Sequence, residues 1–167
     1  EFPSSAPLLP EILALHGRWR AHRDAVIVGD TRRSWADFVA DNHRFAHGLR
    51  AAGVGAGDRV GIFMANGYPM VTALFGTIAA GAVSVPLNTS VSDEAIIAML
   101  SDARIGALVV SAAYRGRFEA LRDALPDGLL YICDGAAPGW TTIAAVSEGQ
   151  SPSLPSVALE DTSPLNI

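Results

Sequence analysis

The sequence lacks lysine, because all 12 of its basic residues are arginine. No mechanism that needs a phosphate-binding or Schiff-base lysine can take that lysine from these 167 residues. Charge of either sign is scarce: charged residues make up 17% of the sequence, against about 25% in an average soluble domain. The net charge of −5 argues against a nucleic-acid-binding protein, which would present a basic face. We therefore expect no nucleic-acid partner.

Cysteine is almost absent as well. Cys133 stands alone, which excludes an internal disulfide and fits a reducing cytoplasm, so we expect a cytoplasmic location. Cys133 ends an apolar stretch and is expected to fill the core rather than act as a nucleophile. The N-terminus shows no signal-peptide pattern and begins with Glu1 instead of methionine, which we interpret as a processed or artificial start.

The longest uncharged stretch contains an apolar run of 20 residues, Tyr68–Leu87, long enough to cross a bilayer. Gly81, however, falls where a helix would end, and we expect it to close that helix with a positive φ. The β-branched residues after it favour a strand that Pro86 closes. Positively charged flanks are also missing. We predict a buried helix followed by a buried strand, and no transmembrane segment.

The rest of the chain alternates between strand-like and helix-like segments. Gly29-Asp30 is a two-residue hairpin signal, and Ser34 and Ser92 are each suited to cap a following helix. The predicted strands are Ala25–Val28, Thr31–Ser34, Arg59–Met64, Val83–Pro86, Ala107–Val110 and Leu129–Cys133. The predicted helices follow Ser34 and Ser92 and cover Pro69–Ala80, Tyr114–Leu125 and the vicinity of Thr142–Glu148. This order predicts an α/β fold: a mostly parallel sheet with helices on both faces, plus an N-terminal β-hairpin.

Three glycines at alternate positions, Gly53, Gly55 and Gly57, suggest at first a nucleotide-binding loop. Such a loop must leave a strand and enter a helix, so that the phosphates meet the helix N-terminus. Here the order is reversed, because the glycines follow a helix and lead into a strand. We predict that Gly53 closes the helix in a left-handed conformation and that the other two turn the chain into the sheet.

The remaining candidate sites carry little chemistry. His43 and His47 have the spacing of a helical metal pair, but Arg44 stands where the zinc-protease motif has glutamate, so we interpret both histidines as solvated. No G-x-S-x-G elbow occurs, which leaves a hydrolase triad unsupported. The three arginines of one helix are interpreted as its solvated face: Arg115, Arg117 and Arg122. We predict no catalytic, cofactor-binding or metal-binding residue within these 167 positions.

Several segments in series nevertheless resemble a known family. They are Thr31-Arg32-Arg33-Ser34-Trp35-Ala36-Asp37-Phe38, Gly53-Val54-Gly55-Ala56-Gly57-Asp58-Arg59-Val60, Asn66, and Gly81-Ala82-Val83-Ser84-Val85-Pro86-Leu87-Asn88. From about Leu8 onward the chain is similar to the N-terminal segment of the adenylate-forming superfamily, which includes acyl-CoA synthetases, adenylation domains of peptide synthetases and luciferases. Members use ATP to convert a carboxylate into an acyl-adenylate, and then pass the acyl group to a thiol, commonly that of coenzyme A.

The resemblance implies what to expect of the whole protein. ATP, Mg²⁺ and coenzyme A would be its cofactors, and a carboxylic acid, expected to be a fatty acid, its substrate. The family's phosphate-binding loop follows a segment like Leu159–Ile167, so we expect that loop, the magnesium-binding acid and the catalytic lysine to lie outside these residues. Some members carry an arginine that meets the CoA phosphate two residues after the asparagine that matches Asn88, where this sequence has Ser90.

The sequence therefore predicts an N-terminal fragment of an AMP-forming acyl-CoA synthetase, of bacterial character, that is inactive alone and binds no cofactor. Peptide-synthetase adenylation, or a scaffold of the same fold, remains the alternative. We divide the chain into a tail (1–10), an α/β subdomain (11–149) and a Ser/Pro-rich linker (150–167). The mean hydropathy of +0.29 is high for an independent domain, so we expect the chain to self-associate.

Overall fold

The computed structural model describes residues 7–167; residues 1–6, part of the predicted tail, lie outside the described residues. Its helices are α1 (Leu9–Trp19), α2 (Trp35–Ala51), α3 (Tyr68–Ala79), α4 (Asp93–Ala103), α5 (Arg115–Ala120) and α6 (Ile143–Ser147). Its strands are β1 (Asp24–Val28), β2 (Thr31–Ser34), β3 (Arg59–Phe63), β4 (Val83–Pro86), β5 (Ile105–Val110), β6 (Leu130–Cys133) and β7 (Thr141–Thr142). Short 3-10 turns at Ala112–Tyr114 and Arg122–Ala124 flank α5.

The main sheet has five parallel strands in the order β4-β3-β5-β6-β7, and β1 and β2 form a separate antiparallel hairpin. The predicted fold class is thus confirmed. From the centre of the sheet the chain moves first to one side, from β3 to β4, and then to the other, from β5 to β7. The sheet therefore has a topological switch point between β3 and β5.

Two apolar layers sandwich the sheet, because successive strand residues point to opposite faces. On one face Val60 and Ile62 pack with residues of α2 and α3, including Phe45 and Leu49. On the other face a second cluster joins β5 and β6 to α4 and α5; it includes Phe63, Leu108, Ile96, Leu100, Phe118 and Cys133. Cys133 is fully buried, so its predicted role as core filling is confirmed.

Local capping signals set the helix ends as predicted. The Ser34 hydroxyl accepts the amide of Asp37 at 3.2 Å, and the Ser92 hydroxyl accepts that of Ala95 at 3.3 Å. Gly53 and Gly81 follow the ends of α2 and α3 with φ of +95° and +81°, which are the expected left-handed conformations. A helix that closes in this way releases the chain toward the next strand within a few residues.

Some elements differ from the sequence prediction. Helix α1 and strand β7 have no predicted counterpart, and the helix predicted over Tyr114–Leu125 ends at Ala120 and continues as a 3-10 turn. Leu125 is extended, with φ −91° and ψ 158°, because it precedes Pro126, whose ring excludes the α conformation one residue earlier. Within residues 7–167, no helix has both the length and the hydrophobicity needed to cross a membrane.

Candidate functional site at the carboxyl edge of the sheet

A polar residue follows each of four neighbouring strands within three positions. Asn66 follows β3, Asn88 follows β4, Ser111 follows β5 and Asp134 follows β6. The carboxyl ends of parallel strands share one edge of a sheet, and open α/β sheets bind their ligands outside this edge at the switch point. These four residues, the carboxyl-edge residues, therefore mark the candidate site.

Two of the carboxyl-edge residues fasten loops. The Ser111 hydroxyl accepts the amide of Ala65 at 3.1 Å, which ties the loops after β3 and β5 together at the switch point. Asp134 accepts the amide of Ala112 at 2.6 Å and holds the loop after β5. The loops at the switch point are thus held in place by direct hydrogen bonds, which brace this edge of the sheet.

A pocket of about 250 Å³ opens beside this edge, between α2, α3 and α6. Its polar end is formed by Asp41, whose carboxylate accepts the Tyr68 hydroxyl at 2.7 Å and the guanidinium of Arg44 at 3.2 Å. The guanidinium carbon of Arg33 lies 5.0 Å from the centre of the Tyr68 ring. The remaining lining residues are Pro69, Thr72, Asp134, Ile143, Ala144 and Ser147.

The chemistry available in this pocket is that of binding. Burial, with the hydrogen bond to Asp41 adding to it, raises the pKa of Tyr68 well above its usual value, so the phenol stays neutral and donates to the carboxylate. The lining holds no nucleophile paired with a base. Among the described residues, no three His, Cys, Asp or Glu side chains are grouped so that they could hold a metal ion. Sequence reasoning missed the contact between Asp41 and Tyr68, which lie 27 positions apart.

The interpretation of both histidines of α2 as solvated was wrong for His43, which is buried with 4% of its surface exposed. Its Nδ1 donates to the carbonyl of Pro152 at 2.8 Å, since a carbonyl only accepts, and the half-buried His47 donates Nε2 to the carbonyl of Ser153 at 3.0 Å. Burial lowers the pKa of His43; the carbonyl opposes this and His47 adds to it. The histidines fasten the segment at Pro152 and Ser153 onto α2, a role that their spacing alone does not reveal.

The interpretation of three arginines as a solvated helix face also needs correction. Arg117 is half-buried: it donates to the Asp93 carboxylate at 2.5 Å, to the carbonyl of Val91 at 2.5 Å and to that of Thr89 at 3.4 Å. It therefore fixes the loop that follows Asn88 at the carboxyl edge. Of the other two, Arg115 pairs with Glu119, and Arg122 stacks on Tyr131 with its guanidinium carbon 4.3 Å from the ring centre.

The glycine-rich segment lies at the opposite, amino end of β3. Asp58 accepts the amide of Gly55 at 2.7 Å and thereby closes the turn. Arg59 donates to the carbonyls of Ala103 and Arg104, at 2.8 and 2.7 Å, where α4 ends. These residues hold a turn and a helix end together, so the prediction that the glycines serve the fold agrees with their position.

The last residues extend the sheet beyond β4. Asn166 forms a parallel bridge with Ser84: the Ser84 amide donates to the carbonyl of Leu165 at 2.9 Å, and the Ile167 amide donates to that of Ser84 at 3.1 Å. The bridge runs in the direction of β4, so Ile167 lies toward the carboxyl edge. A groove of about 580 Å³ follows this margin, and Ile167 at its end is 64% exposed.

Comparison with known proteins assigns this fold to a family. The family model for "AMP-binding enzyme" matches residues 15–165. A medium/long-chain-fatty-acid–CoA/3-oxocholest-4-en-26-oate–CoA ligase of Mycobacterium marinum is 31% identical over 127 residues, which cover 76% of this chain and 21% of the ligase. A protein of Salinispora arenicola, described as the probable non-canonical nonribosomal peptide synthetase CymA, is 34% identical over 103 residues, which cover 60% of this chain and 1% of that protein.

Among solved structures, the anthranilate CoA ligase AuaEII in complex with anthranoyl-AMP superimposes with a TM-score of 0.87 at 22% identity. The matched region covers 94% of this chain and 31% of that ligase. At this identity the likeness concerns the fold alone. This chain spans less than a third of the length of each of these three proteins.

Proposed function

This chain belongs to the family of AMP-binding enzymes, and on that premise we propose that it forms the N-terminal part of an acyl-CoA synthetase. In the proposed reaction a carboxylic acid, by preference a fatty acid, reacts with ATP to give an acyl-adenylate and pyrophosphate. The thiol of coenzyme A then takes the acyl group and AMP is released. The observation that carries the proposal is the family match over residues 15–165. The 31% identity to a fatty-acid–CoA ligase supports the choice of acid and acceptor, and the proposal includes a cytoplasmic location.

The candidate pocket does not fit the phosphates of ATP or a magnesium ion. It is lined by the carboxylates of Asp41 and Asp134 and by no lysine or arginine that could neutralise phosphate charge, and the described part of the chain offers no group of His, Cys, Asp and Glu side chains for a metal. The glycine-rich segment ends a helix instead of opening one, so its amides are not arranged as a phosphate cradle. The proposal therefore assigns ATP and Mg²⁺ to other parts of the protein and derives no step through them here.

In this proposal the chain contributes a scaffold with a defined edge. The hydrogen bonds of Ser111 and Asp134 brace the carboxyl edge, and Arg117 braces the loop after Asn88. Rigid support of this kind keeps reacting groups within the small tolerances that catalysis requires. The parallel bridge at Ser84 adds a strand to the margin of the sheet, next to that loop.

Transfer to the thiol of a peptide-synthetase carrier is the second candidate. One relative is described as a nonribosomal peptide synthetase, and Ser90 stands where some CoA ligases carry an arginine. The exposed Ser90 brings no positive charge to a CoA phosphate; its amide donates to the Asn88 side chain at 2.9 Å. These two observations make a carrier thiol the alternative acceptor.

Carboxylate-dependent exchange of labelled pyrophosphate into ATP tests the first reaction, formation of the acyl-adenylate. We expect exchange with the complete gene product and a panel of fatty acids, and none with the 167-residue chain, because its candidate pocket holds no cation to neutralise phosphate charge. Exchange by the chain alone would contradict the proposal. A complete product that stays inactive with every acid while it folds normally would favour a scaffold.

The acceptor is tested by offering coenzyme A and a phosphopantetheine-loaded carrier protein to the same complete product. Formation of acyl-CoA is the expected result. If only the carrier protein is loaded, transfer to coenzyme A is wrong and transfer to a carrier thiol replaces it, while formation of the acyl-adenylate stands.

A further inference from the structure

Charge is distributed unevenly along the chain. Between Arg18 and Arg33, five arginines and two aspartates give a net charge of +3, whereas the rest of the chain carries −8 within the total of −5. This basic segment contains the end of α1, the turn after it and the hairpin of β1 and β2. An acidic protein that concentrates its cations in one place has a surface that attracts anions.

Most arginines outside this segment are engaged within the fold. By contrast, in the described part of the chain the side chains of Arg18, Arg20 and Arg23 make no hydrogen bond or salt bridge, and all three are exposed. Arg32 pairs with Asp24, but both side chains are largely solvated, at 63% and 44% exposure, so this pair adds little stability. The arginines remain available to an external partner.

Large apolar side chains are exposed among these arginines. Trp19 is 77% exposed, and Ile12, seven residues earlier, shares its face of α1 because seven residues make nearly two turns. On the hairpin, Ile27 is 54% exposed and stands opposite Arg32, so these two side chains share a face of the ribbon. We name the set the Trp19 patch, and its members are Arg18, Trp19, Arg20, Arg23, Ile27 and Arg32.

We propose that the Trp19 patch is a docking surface for an anionic lipid bilayer. Arginines attract the negative surface of such a membrane, and tryptophan, with its apolar ring and polar N–H, is favoured at the boundary between headgroups and acyl chains. Trp19 and Ile27 enter this boundary while the guanidinium groups stay with the lipid phosphates. The chain lies on the membrane in this arrangement and does not cross it.

The combination of groups favours lipid over nucleic acid. Single-stranded nucleic acid is bound in a basic groove whose aromatic side chains stack on successive bases. In the described residues the Trp19 patch offers one aromatic ring, and its other apolar member is the aliphatic Ile27, which has no π-face for stacking. Of the patch residues only Arg18 lines a cavity within residues 7–167, and neither Trp19 nor any other arginine of the patch lines it. Insertion into a bilayer needs aliphatic and indole groups together with cations, which is the set present.

Co-sedimentation of the 167-residue chain with vesicles tests the proposal. We expect binding to phosphatidylserine–phosphatidylcholine vesicles and much weaker binding to phosphatidylcholine alone. Each arginine close to an anionic surface strengthens binding about fivefold, so the triple variant R18Q/R20Q/R23Q should bind about 100-fold more weakly. The matched control compares Arg20→Gln with Arg104→Gln, which removes the same charge from an exposed arginine outside the patch. We expect about a fivefold loss for the first and no change for the second.

Tryptophan emission supplies a second measurement. Anionic vesicles should shift the emission to the blue and protect it from acrylamide. Trp19→Phe should abolish both changes, because of the other two tryptophans Trp140 is buried and Trp35 is half-buried against His16 and Phe38. Equal binding to neutral vesicles, equal losses for Arg20→Gln and Arg104→Gln, or vesicle binding without a shift would each overturn the proposal. So would tighter binding to a single-stranded oligonucleotide. All substituted side chains are exposed, and circular dichroism checks that each variant is folded.

Discussion

Replacing Gly81 with alanine tests how residues 150–167 are attached to the α/β layers. Gly81 has φ +81°, and a Cβ placed there would lie 2.4 Å from Cγ1 of Val157. Two costs therefore add: about 1–2 kcal/mol for a side chain in the left-handed region and about 1–3 kcal/mol for overpacking. We expect the free energy of unfolding to fall by about 2–5 kcal/mol, which lowers Tm by about 2–4 °C per kcal/mol in a chain of this size.

Gly53 provides a matched control, because it also follows a helix in the left-handed region, with φ +95°, but no atom of residues 7–167 lies within 4 Å of its Cβ position. Gly53→Ala should cost only the backbone part, about 1–2 kcal/mol. In the background of Val157→Ala, the clashing methyl group is gone. The free-energy cost of adding Gly81→Ala, measured as G81A/V157A against Val157→Ala, should therefore fall to the same value of about 1–2 kcal/mol, the backbone cost alone. Urea unfolding of the four variants measures each term.

Two results would refute this reasoning. If Gly81→Ala and Gly53→Ala lower the free energy of unfolding equally, Val157 moves away from the new methyl group without an energetic cost. If Val157→Ala fails to rescue Gly81→Ala, the second cost lies elsewhere in the turn.

Three further predictions concern packing, pH and assembly. Gly48→Ala places a Cβ 1.9 Å from the carbonyl oxygen of Val146, so it should displace α6 and cost about 1–3 kcal/mol in urea unfolding, whereas Gly116→Ala, with open space around it, should not destabilise. Because the pKa of His43 is lowered in the folded state, the unfolded chain binds more protons below about pH 6.5, and stability should fall as the pH drops through that value. His43→Gln should flatten this decline in unfolding measured at pH 7.5 and 5.5, and His22→Gln, on the surface, should leave it unchanged. The exposed apolar side chains of the groove beside β4, Met99 and Ile167, should drive self-association, with a light-scattering mass that rises with concentration; a constant monomer mass would contradict this.

The features predicted from sequence are those that neighbouring residues determine. Ser34 and Ser92 cap their helices through amides three residues away, and Gly53 and Gly81 end theirs through their own backbone freedom. These signals need no knowledge of the rest of the fold. They are the reason why the alternation of strands and helices, and with it the parallel sheet, could be predicted.

The features that were missed depend on partners far along the chain. His43 reaches a carbonyl 109 residues away, and Arg117 holds a loop whose carbonyls lie 26 and 28 residues before it. Nothing in the local pattern distinguishes such residues from solvated ones. The pocket at Asp41 and Tyr68 is of the same kind, because α2 and α3 must pack before its polar end exists.

Arg59 has a consequence for how proteins of this kind are recognised. With Asp58 it belongs to the Gly-Asp-Arg-Val signature. Among the described residues, its guanidinium donates hydrogen bonds to the turn at Gly57 and to the end of α4, where Arg104 adopts φ +50°. Both residues serve folding and lie away from the carboxyl edge. Selection for a stable sheet alone would preserve this signature in a descendant that had lost all catalysis. A search for the motif therefore identifies proteins that share this fold by descent. Whether such a protein is active has to be judged from other residues.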